Sequence, residues 1–422
     1  MTKVFPFDYD QHDLPNGLRL ITVPTGFPHI VSLYIVVNVG SRNEVEEGKS
    51  GFAHLFEHMM FRGTEKYSPE RYDAVLKQAG AAQNAYTDDD LTAYHTTFTR
   101  GDLEEILEME ADRFQNLEYS EDVFRTESRA VLAEYNKDSA EPFHLLQEKL
   151  RELAFEKHPY QHTTMGFLRD IEKMPELFEF SRYFHKTFYR PENTTILLAG
   201  DLTVEDGRAL VEKHWGSWQR GAGIPAVPAA PPLAGPKELR VDWPSETMPL
   251  LQIAYRTPAY TDSGRVSAAL DILSYLYFSS TSALYEALVL KEQSCDVFFG
   301  SNSDHVDPYL YLITARLKDP TKLEDVKQRV AATIAAMQSE LVEEKRLEVV
   351  KKHLRYAFAM RMDETEGIAG LLARYVALRR SPETINALYE QYAQVSAEDL
   401  RQVAREYFVE ANRVTVELRH SA

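Results

Sequence analysis

A stretch rich in proline and glycine near the middle of the chain limits what this sequence can fold into. Residues 221–236 contain five prolines and three glycines in sixteen positions. Proline cannot donate a hydrogen bond to a helix or a sheet ladder, so the stretch favours an extended linker. We therefore predict two domains, residues 1–220 and residues 237–422, each of ordinary domain size.

The sequences on either side of this linker share a pattern. Residues 188–198 and residues 407–418 both read as the exit from a helix into a final strand. Alternating residues at 93–99 and at 309–317 each predict a strand that is followed by a helix. The pattern indicates two homologous copies of one α+β unit, although periodicity alone does not give the order of the strands.

Local signals place several elements of the first copy. Residues 30–39 predict a strand whose alternate residues share one face. Ser50 is predicted to cap the helix that follows, and Ser68 with Pro69 to start the next helix. Acidic residues in the first turn favour a further helix over 120–136.

Composition excludes several classes of function. The chain has 47 basic and 65 acidic residues and a net charge of −18. This balance argues against nucleic acid or an anionic membrane as a partner and favours a neutral or basic peptide. The single cysteine, Cys295, excludes internal disulfide bonds and cysteine-rich zinc modules. No apolar run reaches membrane-spanning length and no secretion signal is present, which predicts a cytoplasmic protein, or a periplasmic one if a leader was removed.

The residues that carry chemistry are His54, Glu57 and His58. On a helix, positions four apart project from one face, so the two imidazoles can bind one ion. Neutral imidazoles suit Zn²⁺, which lowers the pKa of a bound water to about 7, and a neighbouring carboxylate can then take its proton. The alternative, two solvated histidines on an amphipathic helix, is disfavoured because apolar side chains surround the motif.

A catalytic zinc site usually has a third protein ligand. The helix predicted over 120–136 offers Glu127 and Glu134, which are seven residues apart and therefore share one face. Any single glutamate on a helix is more often a solvated surface charge. Spacing alone cannot choose between these two.

The motif and its surroundings strongly resemble the inverzincins, the M16 family of pitrilysin, insulin-degrading enzyme and mitochondrial processing peptidase. The similarity covers residues 51–64, the run Asn84–Thr87, the Glu127 and Glu134 pair, and residues 158–166. It extends to the two-unit layout of the whole chain. The length resembles the short, two-domain branch whose members work as dimers.

This resemblance implies a fold and a set of roles. The fold would be that of the LuxS- and mitochondrial-processing-peptidase-like metallohydrolases, with mixed, mainly antiparallel sheets covered by helices. One zinc ion per chain would be bound by His54, His58 and Glu134. Glu57 would be the general base, and Glu127 would support the ligands from outside the coordination sphere.

Residues Asn84, Ala85, Tyr86 and Thr87 predict a substrate-binding strand. A polar strand with an open edge can accept an extended peptide as an additional strand through main-chain hydrogen bonds. The resemblance implies that Asn84 contacts the peptide. The neighbouring run Asp88–Asp90 predicts a solvated turn.

The second unit departs from the family pattern at two positions. Active single-chain and homodimeric relatives carry an Arg and a Tyr there, which bind the substrate carbonyl and stabilise the transition state. By alignment, Val289 and Asp296 occupy these positions, and neither side chain can donate to an oxyanion. The pattern resembles the zinc-binding subunit of heterodimers, whose sister subunit of the same fold supplies the Arg and Tyr.

The sequence therefore predicts a zinc metalloendopeptidase that hydrolyses extended oligopeptides or unfolded segments with metal-activated water, as the catalytic subunit of a heterodimer. The alternative is a non-catalytic scaffold or assembly subunit that retains the peptidase fold. The intact set of His54, Glu57, His58 and Glu134 argues against this alternative.

Overall fold

The computed structural model describes residues 3–420, which form two sheets. The first sheet contains β1 (Asp10–Asp13), β2 (Arg19–Pro24), β3 (Ile30–Val37), β4 (Ala82–Thr87), β5 (Thr92–Thr99) and β6 (Thr194–Gly200). The second contains β7 (Lys237–Trp243), β8 (Leu250–Thr257), β9 (Cys295–Ser301), β10 (Tyr309–Leu317) and β11 (Arg413–His420). We call residues 3–220 the first half and residues 237–420 the second half.

Helices cover these sheets. In the first half they are α1 (Phe52–Met59), α2 (Pro69–Gln78), α3 (Leu103–Asn116), α4 (Glu121–Asp138), α5 (Pro142–Ala154), α6 (Leu168–Ile171), α7 (Phe178–Phe188) and α8 (Val204–Trp215). In the second half they are α9 (Val266–Phe278), α10 (Ala283–Tyr285) with a π-helical continuation (Glu286–Lys291), α11 (Leu323–Ser339), α12 (Glu344–Ala359), α13 (Thr365–Arg379), α14 (Glu383–Gln394) and α15 (Ala397–Tyr407).

Apart from the additional strand β1, the two sheets have equivalent strand orders. The first is β1-β2-β6-β3-β5-β4 and the second is β7-β11-β8-β10-β9. The β2–β6 and β7–β11 pairs are parallel, and the other neighbouring pairs are antiparallel. This confirms the prediction of two homologous α/β units with mixed, mainly antiparallel sheets. The repeated runs of the sequence form equivalent strands, β5 with β10 and β6 with β11.

One helix from each half packs against the sheet of the other half. One face of the first sheet packs against helices of its own half, in a core that includes residues of α1, α3, α7 and α8. The opposite face packs against α13 of the second half. In return, α5 of the first half covers one face of the second sheet, on β7, β8 and β11. The two exchanged helices hold equivalent positions in their halves, because α5 follows α4 as α13 follows α12.

Residues 221–236 form no helix or strand between α8 and β7. The domain boundaries on either side of this linker remain a prediction, because the exchanged helices give each half a share in both cores. No helix within residues 3–420 is long and apolar enough to cross a membrane.

Candidate metal centre and substrate edge

A buried carboxylate caps α1, the helix that carries the His54–His58 motif. Glu44 accepts hydrogen bonds from the backbone N–H groups of Gly51 and Ala53, each at 2.7 Å. A carboxylate in this position satisfies the first free N–H groups of the helix and favours its dipole. Burial raises the pKa of Glu44 to about 8, although the N–H groups of Ala53 and Gly51 lower it.

The prediction that Ser50 caps α1 is wrong. The cap position is Gly51, with φ at 91°, and it makes no side-chain cap hydrogen bond. The left-handed turn at Gly51 directs Ser50 away from the helix. Its hydroxyl instead donates to Asp170 at 2.7 Å and accepts from the Phe167 N–H at 2.8 Å.

Two glycines bring separate backbone segments together at the start of α1. Gly51 and Gly166 both have positive φ, at +91° and +84°, a conformation that favours glycine. A Cβ on Gly166 would lie 2.7 Å from the Gly51 nitrogen, and a Cβ on Gly51 would lie 2.8 Å from the Met165 carbonyl oxygen. Only glycine fits this contact, which fixes where α1 begins.

The structure brings His54, His58 and Glu134 together. Nε2 of His58 lies 3.5 Å from Oε2 of Glu134, and Nε2 of His54 lies 3.7 Å from the same oxygen. The two imidazole rings are 4.9 Å apart and nearly perpendicular. His54 is buried, whereas His58 and Glu134 are partly exposed, so the cluster opens to solvent on one side.

These three residues fit a zinc ion in their chemistry and their spacing. Tetrahedral coordination with bond lengths near 2.05 Å places ligand atoms about 3.4 Å apart. The observed separations of 3.5 and 3.7 Å are close to this value. Two imidazoles and one carboxylate match the ligand set of catalytic zinc sites that keep a position open for water.

Glu127 lies beside the cluster rather than in it. Its Oε2 accepts a hydrogen bond from Arg62 at 3.0 Å and lies 3.8 Å from Nδ1 of His58, on the opposite side of that ring from Glu134. Burial raises the pKa of Glu127, but the nearby His58 ring and the Arg62 guanidinium outweigh it and lower the pKa below its ordinary value. A carboxylate in this position can hold the His58 ring in its ligating orientation.

Glu57 projects from α1 toward the end of β4. Its Oε2 accepts a hydrogen bond from the Thr87 hydroxyl at 2.7 Å. Burial raises the pKa of Glu57, although the Thr87 hydrogen bond and the His58 charge lower it. The helix and the end of the strand thus together position this carboxylate next to the metal cluster.

The predicted substrate strand is the edge strand of the first sheet. β4 pairs with β5 on one side, and the sheet order ends with β4 on the other. Ala85 packs against the core that contains α1, and Thr87 contacts Glu57. Asn84 and Tyr86 alternate with them and are exposed, with the Tyr86 ring 6.3 Å from that of His95.

Val289 and Asp296, which differ from the family pattern, lie on the π-helical segment and on β9. Val289 packs against the core of the second half. Asp296 is held in a paired ionic contact, with its two carboxylate oxygens 2.9 and 2.8 Å from Nε and Nη2 of Arg316. Neither residue presents a hydrogen-bond donor.

The prediction of a solvated turn at Asp88–Asp90, which we call the aspartate turn, is wrong for two of its three residues. Asp89 and Asp90 are buried, at 1% and 8% exposure. Arg151 donates two hydrogen bonds to Asp89, at 2.7 and 3.0 Å. Burial of these carboxylates is possible because charged partners from distant segments surround them.

Asp88 and Asp89 also lie near His305 in a second grouping of potential metal ligands. The ring nitrogens of His305 face the Ser303 carbonyl at 3.0 Å and the Asp89 carboxylate at 3.1 Å. Because both neighbours are acceptors, both nitrogens must carry protons and the ring is a cation. With Arg151 on the same carboxylate, this grouping does not fit a metal ion.

Two known protein-family descriptions match this chain. Residues 20–167 match the model described as insulinase, peptidase family M16. Residues 179–354 match the model described as the peptidase M16 inactive domain. The chain belongs to peptidase family M16.

Relatives within the M16 family span nearly the whole chain. The zinc protease PqqE of Helicobacter pylori is 28% identical over 417 residues, which cover 96% of this chain and 91% of the relative. A probable mitochondrial-processing peptidase subunit beta of Schizosaccharomyces pombe is 24% identical and covers 93% of this chain and 87% of its own length. The crystal structure of a protease from Helicobacter pylori superimposes with a TM-score of 0.91 at 27% identity, covering 98% of this chain and 99% of that one.

The M16 matches divide the functional positions between two models. His54, His58, Glu134, Glu57 and β4 lie within residues 20–167, whereas Val289 and Asp296 lie within residues 179–354. Sequence reasoning missed Glu44 and the charged partners of the aspartate turn. The partners of the aspartate turn come from distant segments and leave no local spacing in the sequence. Glu44 precedes the start of α1 by several residues, outside the position where a capping residue is sought.

Proposed function

We propose that this M16 chain is a zinc metalloendopeptidase whose metal is held by His54, His58 and Glu134. The observation that carries the proposal is the convergence of these three side chains, with both histidines within 3.7 Å of one glutamate oxygen. Two helices far apart in sequence supply the ligands. His54 is buried while His58 and Glu134 are partly exposed, so an ion and a water can reach the cluster from solvent.

Proton transfer and its positioning are assigned to Glu57 and Thr87. A bound zinc ion would supply positive charge that acidifies a nearby water and polarises a carbonyl. Glu57 accepts the proton of that water and passes it to the leaving amine. Thr87 holds the Glu57 carboxylate in place through its hydroxyl.

The substrate is an extended peptide or unfolded segment that binds as a strand on β4. The open edge offers main-chain hydrogen bonds that do not depend on side-chain identity. Ala85 and Thr87 face the α1 side of the sheet while Asn84 and Tyr86 face the other. Alternate side chains of a bound peptide would therefore face toward and away from the metal.

The chain works as the catalytic subunit of a heterodimer. Val289 and Asp296 cannot bind a substrate carbonyl, and Asp296 is already engaged by Arg316. A sister subunit of the same fold would supply the missing Arg and Tyr. The strongly acidic composition, with a net charge of −18, favours neutral or basic peptides.

Metal analysis tests the ligand set. His54→Ala and Glu134→Ala should each reduce zinc from one ion per chain to well below one, since a single lost ligand weakens a three-ligand site severely. Asp122→Ala, an exposed carboxylate on the same helix as Glu134, is the matched control. Full zinc occupancy in both ligand variants would refute the proposed site.

Activity with and without a sister subunit tests the heterodimer. The isolated chain and a reconstituted pair with a family sister that lacks the zinc motif should be assayed on an unstructured, fluorescence-quenched basic peptide. Hydrolysis should require the pair. Full activity of the isolated chain would overturn the subunit proposal and leave the zinc proposal intact.

A further inference from the structure

We propose that His305 and Asp307, on a loop of the second half, are positioning residues for the catalytic site of the first half. This inference rests on the peptidase function proposed above. It assigns a role in catalysis to residues that lie within the part matched as an inactive domain. We call residues 303–307 the 303–307 loop.

The 303–307 loop holds the aspartate turn by two contacts. Nε2 of His305 donates to Asp89 at 3.1 Å. The Val306 N–H donates to Asp90 at 3.0 Å. Both carboxylates are buried, so these bonds are not exchanged for water, and the turn has little freedom to shift.

The same loop also holds the segment that precedes the cap of α1. Oδ2 of Asp307 accepts a hydrogen bond from Nε of Arg42 at 2.6 Å and lies 2.9 Å from Nε2 of His158. The Arg42 N–H in turn donates to the carbonyl of Asp89 at 2.9 Å. The loop, the aspartate turn and the Arg42 segment therefore form one polar cluster, which is buried at Asp89, Asp90 and His305 and partly buried at Arg42 and Asp307.

Both held segments lead directly to the catalytic helix. The aspartate turn follows Thr87, which bonds Glu57. The Arg42 segment continues to Glu44. The Glu44 carboxylate accepts hydrogen bonds from the N–H groups of Gly51 and Ala53, just before His54 on α1. A shift of the loop would thus reach the proposed base through Thr87 and the start of α1 through Glu44.

Small displacements at these points are sufficient to affect rate. Proton transfer requires the base within hydrogen-bond distance of its partner, and misplacement by about 1 Å can cost roughly 10²-fold in rate. Loss of one partner from a buried charge cluster leaves the other charge uncompensated, so the turn would relax toward solvent.

The test compares variants by amide hydrogen exchange and by kinetics on the full chain, with the sister subunit where activity requires it. His305→Gln removes the cation and keeps a polar side chain, and Asp307→Ala breaks the contact with Arg42. The control is Lys237→Met, which removes a contact between the halves at α5, where Nζ lies 3.0 Å from the Leu153 carbonyl oxygen. Zinc content is measured for each variant.

His305→Gln and Asp307→Ala should raise exchange at least tenfold in residues 82–91 and 41–57, while β8 and β11 keep wild-type exchange. Zinc should remain at one per chain and kcat should fall about tenfold or more. Lys237→Met should leave the exchange in these residues, the zinc content and kcat unchanged. Unchanged exchange in residues 82–91 in both variants, or a uniform rise across the chain, would overturn the inference. Because exchange does not depend on turnover, this outcome is distinguishable from failure of the peptidase proposal.

Discussion

Glu127 shows how a side chain outside the proposed ligand set can act on it. It lies 3.8 Å from Nδ1 of His58 and is itself held by Arg62. Partners of this kind orient a ligating ring, and their loss typically lowers metal affinity 10- to 100-fold, roughly. We expect Glu127→Gln to weaken zinc binding by about that factor, as measured by competition with a chromophoric chelator. Glu121→Gln, an exposed carboxylate on the same helix, should bind like wild type, and equal affinities of both variants would contradict the assigned role.

His305 makes stability depend on pH in a defined direction. Asp89, Asp90, Asp304 and Arg151 surround it. Burial lowers the pKa of His305, but the hydrogen bond and charge of Asp89 outweigh burial and raise it above its ordinary value. A raised pKa in the folded state gives a stabilisation that is complete below the unfolded pKa of about 6.5 and is lost as pH rises through the folded pKa.

The corresponding measurement is urea unfolding of wild type and His305→Gln between about pH 6 and pH 9. The free energy of unfolding of wild type should exceed that of the variant most at the acidic end. The difference should shrink as the pH rises. A difference that stays constant or grows with pH would contradict a protonated His305.

For single residues, the sequence predicted those neighbours whose proximity follows from their spacing along one helix. His54, Glu57 and His58 lie on one helix, so their proximity follows from helical geometry alone. Spacing left Glu127 and Glu134 undecided. In the structure the two differ, because Glu134 approaches the Nε2 atoms of both histidines, whereas Glu127 lies near Nδ1 of His58 alone. Their roles as ligand and supporting carboxylate remain predictions until metal is measured.

Among the elements, the start of α1 depends most on backbone shape. Gly166→Ala would place a Cβ 2.7 Å from the Gly51 nitrogen at a positive φ. We expect a loss of about 1–3 kcal/mol in the free energy of unfolding and weaker zinc binding, since His54 follows three residues after Gly51. Gly264→Ala, which meets no atom within 4 Å at an ordinary φ, is the control. Equal stability of the two variants by urea unfolding would contradict this account.

Several elements were predictable and one cap was not. The β3 strand and the Ser68 cap were predicted from alternation and a capping residue, and α4 was predicted from its acidic first turn. In the structure Ser120 also caps α4. Ser50 has the same chemistry as these caps but is engaged by Asp170, 120 positions away. A local rule fails where a distant partner competes for the side chain.

For the whole molecule, the exchange of α5 and α13 is what joins the halves. Sequence periodicity indicated two units but not that each sheet face would be completed by the other unit's helix. That arrangement depends on contacts between elements far apart in sequence, such as α13 against β3 and β6. Similar helices in both halves carry no signal that distinguishes packing on their own sheet from packing on the other.

The exchange predicts that the first half cannot stand alone. Residues 1–220 without α13 would expose the apolar face that includes Tyr34, Val36 and Leu197, a patch that favours aggregation. We expect this fragment to aggregate by size-exclusion chromatography and to become soluble when co-expressed with residues 237–422. Full chain cleaved at a protease site engineered into the linker should stay assembled. A monomeric, cooperatively folded fragment 1–220 would contradict the arrangement.

The most direct test of the central claim is the Glu57→Gln variant, measured for zinc content and, with the sister subunit present where activity requires it, for peptide hydrolysis. The claim is that His54, His58 and Glu134 bind zinc while Glu57 moves the proton. Zinc should therefore remain at one ion per chain while kcat/KM falls by about 10²- to 10⁴-fold, and Glu47→Gln, an exposed control, should behave as wild type. Retained hydrolysis in Glu57→Gln would contradict the claim.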